Sequence, residues 1–269
     1  MSIEWFSDAG EECFSFNFIC LDDPMTAIAR VYTPRGFVVA ADGRKLNNQT
    51  GEIGGDEAQK VFRLSHTAGE MCFSVAGVGD MLLQSGRLDF SAVVSRSAIN
   101  IATTEIRNPD DYARLLGATI CRDIQSLVLD PLASGMEMET HLYLDGYILG
   151  QPMRRTITIS YLEDRMEARL AAGELLPGRA IGHGSPMVWA VLFGKTPDNR
   201  LHPHRHICQS LRPTTVSQAV RVCRALIRAH CDPEALSIDR QKCEGVGGHI
   251  HIATVTPEEG FKWVIPPVT

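Results

Sequence analysis

Hydrophobic positions along the chain switch between two periods, and the switches mark the elements. Ala27–Val31 and Phe37–Ala41 are short, almost continuous apolar runs. Tyr-Thr-Pro-Arg-Gly joins them, with Pro34 and Gly36 supplying the turn, so the pair predicts a β-hairpin. Lys45–Gln59 is a polar excursion containing glycines. Lys60–Leu64 and Met71–Ala76 predict a second hairpin around a polar turn. After Gly79 the period lengthens. Leu82, Leu83, Leu88, Val93, Val94, Ile99 and Ile101 fall at helical spacing within Asp80–Arg107. Tyr112, Leu115, Leu116, Ile120, Ile124 and Leu127 do so within Asp110–Leu129. Asn108-Pro109 separates the two helices, and Asn108 or Asp110 caps the second.

Strand periodicity returns from His141, in HLYLDGYIL, RTITISYL and MEARLAA. AIGHGSPMVWAVLFG reads as a strand, a glycine turn and a short helix. KTPDNRLHPHRHICQSLRP reads as a long loop. TVSQAVRVCRALIRAHC is an amphipathic helix capped by Thr214 or Thr215, and GGHIHIATVT and GFKWVI close the chain as strands. Strands, two helices, strands, a helix and strands again predict an α+β layered domain with helices on the faces of antiparallel sheets.

Composition adds few constraints. At 269 residues, 44% hydrophobic and 22% charged, the chain has enough material for a sizeable core. A net charge of −6 gives no reason to expect a nucleic-acid partner. No apolar run reaches membrane-spanning length. The first residues are acidic and lack the basic and apolar regions of a secretory signal, which predicts a cytoplasmic protein. The eight cysteines form no Cys-x-x-Cys pair and are expected to be buried small hydrophobes.

From Thr26 to Asp80 the residues resemble the N-terminal half of a proteasome β-type subunit, an N-terminal-nucleophile (Ntn) hydrolase. In that family a Thr opens the mature chain, and an Asp and an Arg, one residue apart, close the second strand. A Lys begins the next strand, and an Ala-Gly pair ends the following hairpin. These positions are Thr26, Asp42, Arg44, Lys60 and Ala76-Gly77. The later elements fit more loosely as far as about Trp263. The resemblance implies a four-layer αββα sandwich over residues 26–269, with residues 1–25 as an N-terminal extension, a propeptide or a mis-assigned start. Met25 directly precedes Thr26, and removal of an initiator Met before so small a residue would free Thr26 without autolysis.

The resemblance also implies roles. Thr26 is the nucleophile, and its own α-amine is the base once it is N-terminal. Lys60 tunes the amine and the hydroxyl, and Asp42 pairs with Lys60. The Gly77 N–H serves the oxyanion. Arg44 fixes the strand end, and Val75, Lys45 and Ala58 line the substrate pocket by analogy. No cofactor or metal is implied. The implied substrate is a peptide or other amide, and the implied assembly is a homo-oligomeric ring or stack. An unfoldase would be a separate protein, since no ATP-binding motif is present.

The later part of the chain departs from the family. His183 stands where the family has a Ser in its glycine turn, and Cys243 and Val246 fall near the positions of an Asp and a second Ser. Asp239 or Glu244 could substitute in a shifted register. His183 then bonds the amine or a water, or is simply a loop histidine, the reading preferred here. These departures keep two alternatives open: a non-catalytic structural or assembly subunit that retains its extension, and an amidase for small amides. His202, His204 and His206 alternate in HPHRH, with Cys208 beyond, and could ligate zinc from one side of an extended segment. An exposed loop cluster is the preferred reading. His249 and His251 are expected to be satisfied sheet positions.

Overall fold

The computed structural model describes residues 26–46, 52–77, 80–83, 86–127, 138–162 and 165–268. Residues 1–25, expected above to be an extension, a propeptide or a mis-assigned start, lie outside them. The chain opens with strands β1 (Ile28–Thr33), β2 (Gly36–Ala41), β3 (Lys45–Leu46), β4 (Ile53–Gly55), β5 (Val61–His66), β6 (Gly69–Gly77), β7 (Asp80–Leu83) and β8 (Gly86–Asp89). Helices α1 (Phe90–Ile101) and α2 (Pro109–Leu127) follow, then strands β9 (Met138–Ile148), β10 (Gln151–Leu162), β11 (Arg165–Ala172) and β12 (Ala180–His183). The last third holds α3 (Pro186–Leu192), α4 (His202–Ser210), α5 (Val216–His230), α6 (Pro233–Ile238), α7 (Arg240–Cys243), β13 (His251–Thr256) and β14 (Gly260–Ile265).

Two antiparallel five-stranded sheets carry the fold, ordered β12-β1-β2-β13-β14 and β11-β10-β9-β6-β5. The inner strands alternate between a helix and the opposite sheet. Ala27, Ala29 and Val31 pack with Val222, Leu226 and their neighbours on α5, whereas Ile28, between them, packs with Val61, Cys72 and Ala76 of the other sheet. Leu142, Leu144 and Ile157 face α1 and α2 through Val94, Tyr112 and Leu116. Helix, sheet, sheet, helix is the four-layer αββα order that the resemblance implied. Both strand faces are covered, which is why β1 and β2 read as continuous apolar runs instead of alternating ones.

The helix ends follow local chemistry. Asn108 Oδ1 accepts from Asp111 N at the start of α2, and Asp110 and Asp111 occupy its first turn. Thr215 and Gln218 form a capping box on α5. Among the described residues, no helix is long and apolar enough to cross a membrane. The described cysteines, Cys72, Cys121, Cys208, Cys223, Cys231 and Cys243, are all free; all are buried except the partly covered Cys231.

Three expectations need correction: His249, expected in a strand, lies just before β13, and two predicted elements differ. The helix predicted from Asp80 begins only at Phe90, and β7 and β8 form a small hairpin before it. Asp89 decides the start, because its carboxylate accepts from Ala92 N and terminates the strand as it caps the helix. The loop predicted around HPHRH is α4. Leu201 enters it at φ +57°, its N–H donating to Glu234, and Pro203 sits in the first turn, where no N–H is required. On a helix, residues two apart are turned about 200° from each other. His202, His204 and His206 therefore do not share one side, and among the described residues no group of three or more side chains could hold a metal ion.

One polar cluster sits inside the sheet-to-sheet interface. Asp145 on β9 accepts from Arg30 Nε of β1 at 2.5 Å and from Arg154 Nε of β10 at 2.8 Å, and all three are essentially inaccessible. The two guanidinium groups hold the Asp145 carboxyl below the usual carboxylate range against the opposing effect of burial. Arg30 also lies 4.7 Å from the ring centre of Tyr143, as a cation–π contact.

Candidate functional site

The head of β1 is anchored by a carboxylate. Ala27 N donates to Asp42 Oδ1 at 2.9 Å, and Asp42 N donates back to Ala27 O at 3.2 Å. This reciprocal pair holds Thr26, itself only 8% exposed, at the entrance to the first sheet. Asp42 is fully buried. Its Oδ1 also accepts from Lys60 Nζ at 2.9 Å, and its Oδ2 from Gly247 N at 3.1 Å and Arg44 N at 3.2 Å. Burying a carboxylate is costly unless its lone pairs are filled, and here four donors fill them. The Lys60 side chain is 12% exposed, so this ion pair has lost most of its water.

Arg44 works beside this knot as a brace. Its Nε donates to Asp56 Oδ1 at 2.8 Å and its Nη1 to Val246 O at 3.3 Å, and it holds the Asp56 carboxyl below the usual range. A Cβ on Gly247 would lie 2.6 Å from the Arg44 guanidinium carbon and would push that side chain from its place. Gly43 N and Arg44 N both donate to Gly247 O, so the turn after β2 is latched onto the segment before β13.

Lys60 is gripped through its backbone as well. Its N–H donates to His251 Nε2 at 3.0 Å, and its carbonyl accepts from Val75 N at 3.3 Å. His251 is inaccessible, and burial pushes its imidazole down to about 3, with Lys60 and His249 adding to the effect. The imidazole is therefore neutral and can accept. Val75 is buried next to Lys60, and Ala58 is tied to the Asp42 turn by its N–H to Gly43 O. Lys45 lies one residue beyond Arg44, on the β3–β4 arm opposite Gly55. Gly77 ends β6 opposite Thr140 with φ +93°, and a Cβ there would come within 2.5 Å of Glu139 O. Only glycine turns the chain at that point.

The third wall comes from β12 and the helices beyond it. β12 pairs antiparallel with β1, Ile28 opposite His183, so the chain after His183 runs back toward Thr26. Ser185 lies there, fully buried. Its hydroxyl donates to Asp239 Oδ2 at 2.6 Å and accepts from Val188 N at 3.1 Å, capping α3; Asp239 Oδ1 in turn accepts from Lys242 N. Burial lowers the His230 imidazole, which lies among Leu226 O, Asp42, the Ser185 backbone and Asp239. Gly184 leaves room for that ring, since a Cβ would sit 2.6 Å from His230 Nε2.

Asp42, Lys60, Arg44, Val75 and Ala58 thus belong to one hydrogen-bonded cluster around the strand that Thr26 heads, while Gly77 ends β6 and His183 ends β12. His183 is not in an open loop: it ends a strand, and its Nδ1 is 3.1 Å from Tyr143 Oη. Ser185 went unnamed in the sequence reading, although Ser-Pro before the apolar run Met187–Leu192 is a helix-start signal that marks it. His251 was expected only as a satisfied sheet position and His230 carried no signal, because their partners lie far along the chain.

No protein-family model and no curated protein matches the chain. Among solved structures, an Anbu mutant from Hyphomicrobium sp. strain MC1 is similar over 89% of this chain and 87% of that one, at 15% identity and a TM-score of 0.49. Anbu from Yersinia bercovieri, described as an ancestral beta-subunit, is similar over 90% and 87%, again at 15% identity and a TM-score of 0.49.

Proposed function

We propose that this chain is a threonine-type hydrolase of amide bonds, with Thr26 as its nucleophile once that residue is N-terminal. The observation that carries the reading is the Asp42 carboxylate, which ties the start of β1 to the Lys60 ammonium and to the Gly247 loop in one buried knot. Such a knot is more than a strand end needs, and in this reading Lys60 is the cation that serves the Thr26 hydroxyl.

In this reading the free α-amine of Thr26, with an ordinary pKa of about 8, takes the proton from Oγ directly or through a water. Oγ attacks the amide carbon, and the oxygen of the tetrahedral intermediate is met by the N–H of Gly77. Collapse breaks the C–N bond, the departing nitrogen leaves with the proton, and an ester on Oγ remains. Water then attacks the ester, the same amine removing its proton, to release the acid and regenerate Thr26. Lys60 favours the developing negative charge on Oγ and lowers the proton affinity of the amine. Ser185 and Asp239 supply the polar wall on the amine side. Peptides are the proposed substrates, admitted past Val75, Ala58 and Lys45. The proposed assembly is a ring or stack of identical subunits, in which apolar surface such as Ile99, 74% exposed on α1, is covered by a neighbour.

The intact mass of protein made in its own host, read together with a fluorogenic peptide assay, tests this. A chain starting at Thr26 that cleaves peptide, and loses that activity in Thr26→Ala with its fold unchanged, is the expected result. A chain that keeps residues 1–25 and cleaves nothing would overturn the reading in favour of a scaffold subunit.

A further inference from the structure

The interface between the two sheets holds a pair of side chains that the reaction above does not use. His183 is opposite Ile28 in the β12–β1 ladder, and directly opposed residues project on the same face. Ile28 points into the space between the sheets, while Ala27 and Ala29 point at α5. Alternation therefore sets Thr26 and His183 on the same inner face, His183 following Ile28 and Thr26 two residues before it. From the other sheet, His141 on β9 is opposite Ala76, which also belongs to the inner face, and its ring centre is 6.1 Å from that of His183. Gly77 is the next residue along β6.

Tyr143 determines what His183 presents to this space. Its hydroxyl is 3.1 Å from His183 Nδ1 and has no other hydrogen-bond partner among the described residues. Burial pushes the phenol up to about 12, Arg30 working the other way and Glu139 adding to the rise, so the hydroxyl keeps its proton. A covered phenol has one hydrogen to give. Left unmade, that bond costs the full desolvation of the donor, so Oη–H donates and Nδ1 accepts. A neutral imidazole that accepts at Nδ1 carries its hydrogen at Nε2, and His183 Nε2 has no partner among the described residues. Burial pushes the ring down to about 3, and the nearby charges work in the same direction: His141 from β9, Lys242 from α7, His230 from α5 and Lys60 before β5. Glu139 is 3.4 Å from His141 Nε2, and Arg30 lies under the Tyr143 ring.

We propose that Tyr143 and His183 form a fixed, uncharged N–H donor that binds a carbonyl oxygen of the substrate chain in the gap beside Thr26. Tyr143 is the positioning residue, and His183 Nε2–H is the group that touches substrate. The donor reaches in from the sheet opposite Gly77, so the bound chain is held from both walls. A neutral donor suits a neutral carbonyl, where an imidazolium would instead attract carboxylates. The choice of ligand rests on the hydrolase reading, whereas the tautomer does not.

The test is the nitrogen–proton spectrum of histidine-labelled full-length protein, with His183 assigned by its loss in His183→Gln. The expected spectrum has His183 protonated at Nε2 alone and unchanged from pH 5 to 9, with Tyr143→Phe producing a mixture of tautomers. A proton on Nδ1, or an imidazolium at pH 6, overturns the proposal. Titration with an N-acetylated, C-amidated tripeptide should shift the Nε2–H signal saturably in Thr26→Ala protein, which cannot turn over. The absence of a shift at millimolar peptide also overturns it. In the active protein, His183→Ala should raise KM about tenfold, the loss of one neutral hydrogen bond, while His183→Gln, which keeps an N–H, should recover most of it. A correct tautomer and a peptide-induced shift in a protein without peptidase activity would leave the donor standing and remove only the hydrolase reading.

Discussion

Replacing Asp42 by Asn keeps the shape of the side chain and removes its charge. Four donors converge on the carboxylate: Ala27 N, Lys60 Nζ, Gly247 N and Arg44 N. An amide offers one acceptor oxygen, so whichever way Asn turns, its NH2 meets two of those donors head-on. Two hydrogen bonds to a charged acceptor are lost, each about 1.5–3 kcal/mol, and the Lys60 ammonium is left without its counter-charge. Breaking a buried pair from one side costs about 3–5 kcal/mol. With Lys60 slightly exposed, the lower half of that range is the expectation, a large share of the roughly 5–15 kcal/mol that holds a domain together. Urea unfolding of the full chain, followed by far-UV circular dichroism with the slope checked for constancy, measures it. Asp42→Asn/Lys60→Met removes the stranded charge and should recover about 1–2 kcal/mol of the loss, which a double-mutant cycle isolates. A loss below about 1 kcal/mol for Asp42→Asn, or no coupling to Lys60, would refute the claim that this carboxylate organises the site.

Gly77→Ala forces a side chain into a positive-φ position facing Glu139 O, so it should cost about 1–3 kcal/mol and abolish peptide hydrolysis; denaturant midpoints and the peptide assay read the two effects separately. His251 is neutral in the fold, with its pKa depressed from 6.5 to about 3. Between those values the unfolded chain binds the extra proton, so stability should be fully present above about pH 6.5 and fall as the pH drops toward 3. His251→Gln, which keeps an acceptor for Lys60 N, should flatten that part of the curve, and an unchanged slope in urea midpoints from pH 4 to 8 would contradict this. Asp145→Ala leaves Arg30 and Arg154 facing each other without an anion and should cost about 3–5 kcal/mol. Replacing all three with Met, Leu and Met should restore most of that in thermal or urea unfolding, because the cluster is enclosed by apolar neighbours.

Local features were legible in the residues because local rules decide them. The hairpin from Ala27 to Ala41 followed from two apolar runs and a Pro-Gly turn, and α2 and α5 followed from their period and their caps. Asp42, Lys60 and Gly77 were legible as candidates by their order along the chain, and in the fold Asp42 and Lys60 meet as an ion pair at 2.9 Å. Asp80–Asp89 was misread because its apolar spacing suits a helix as well as a hairpin, and the deciding group is the Asp89 carboxylate on Ala92 N. HPHRH was misread because an opening at Leu201 and a proline look like a loop until Glu234 supplies the missing acceptor.

The sequence by itself determined most of the strands and helices, the caps of α2 and α5, and which residue types stand at the head of the first strand. Only the tertiary structure decided what meets there. Gly247 reaches Asp42 across 205 positions, His251 reaches Lys60 across 191, Arg30 reaches Asp145 across 115, and Ser185 finds Asp239 across 54. Periodicity tells a residue which face it occupies and nothing about which distant strand will cover that face. That choice is made by the order of strands in the two sheets and by the cost of leaving buried donors and acceptors without partners.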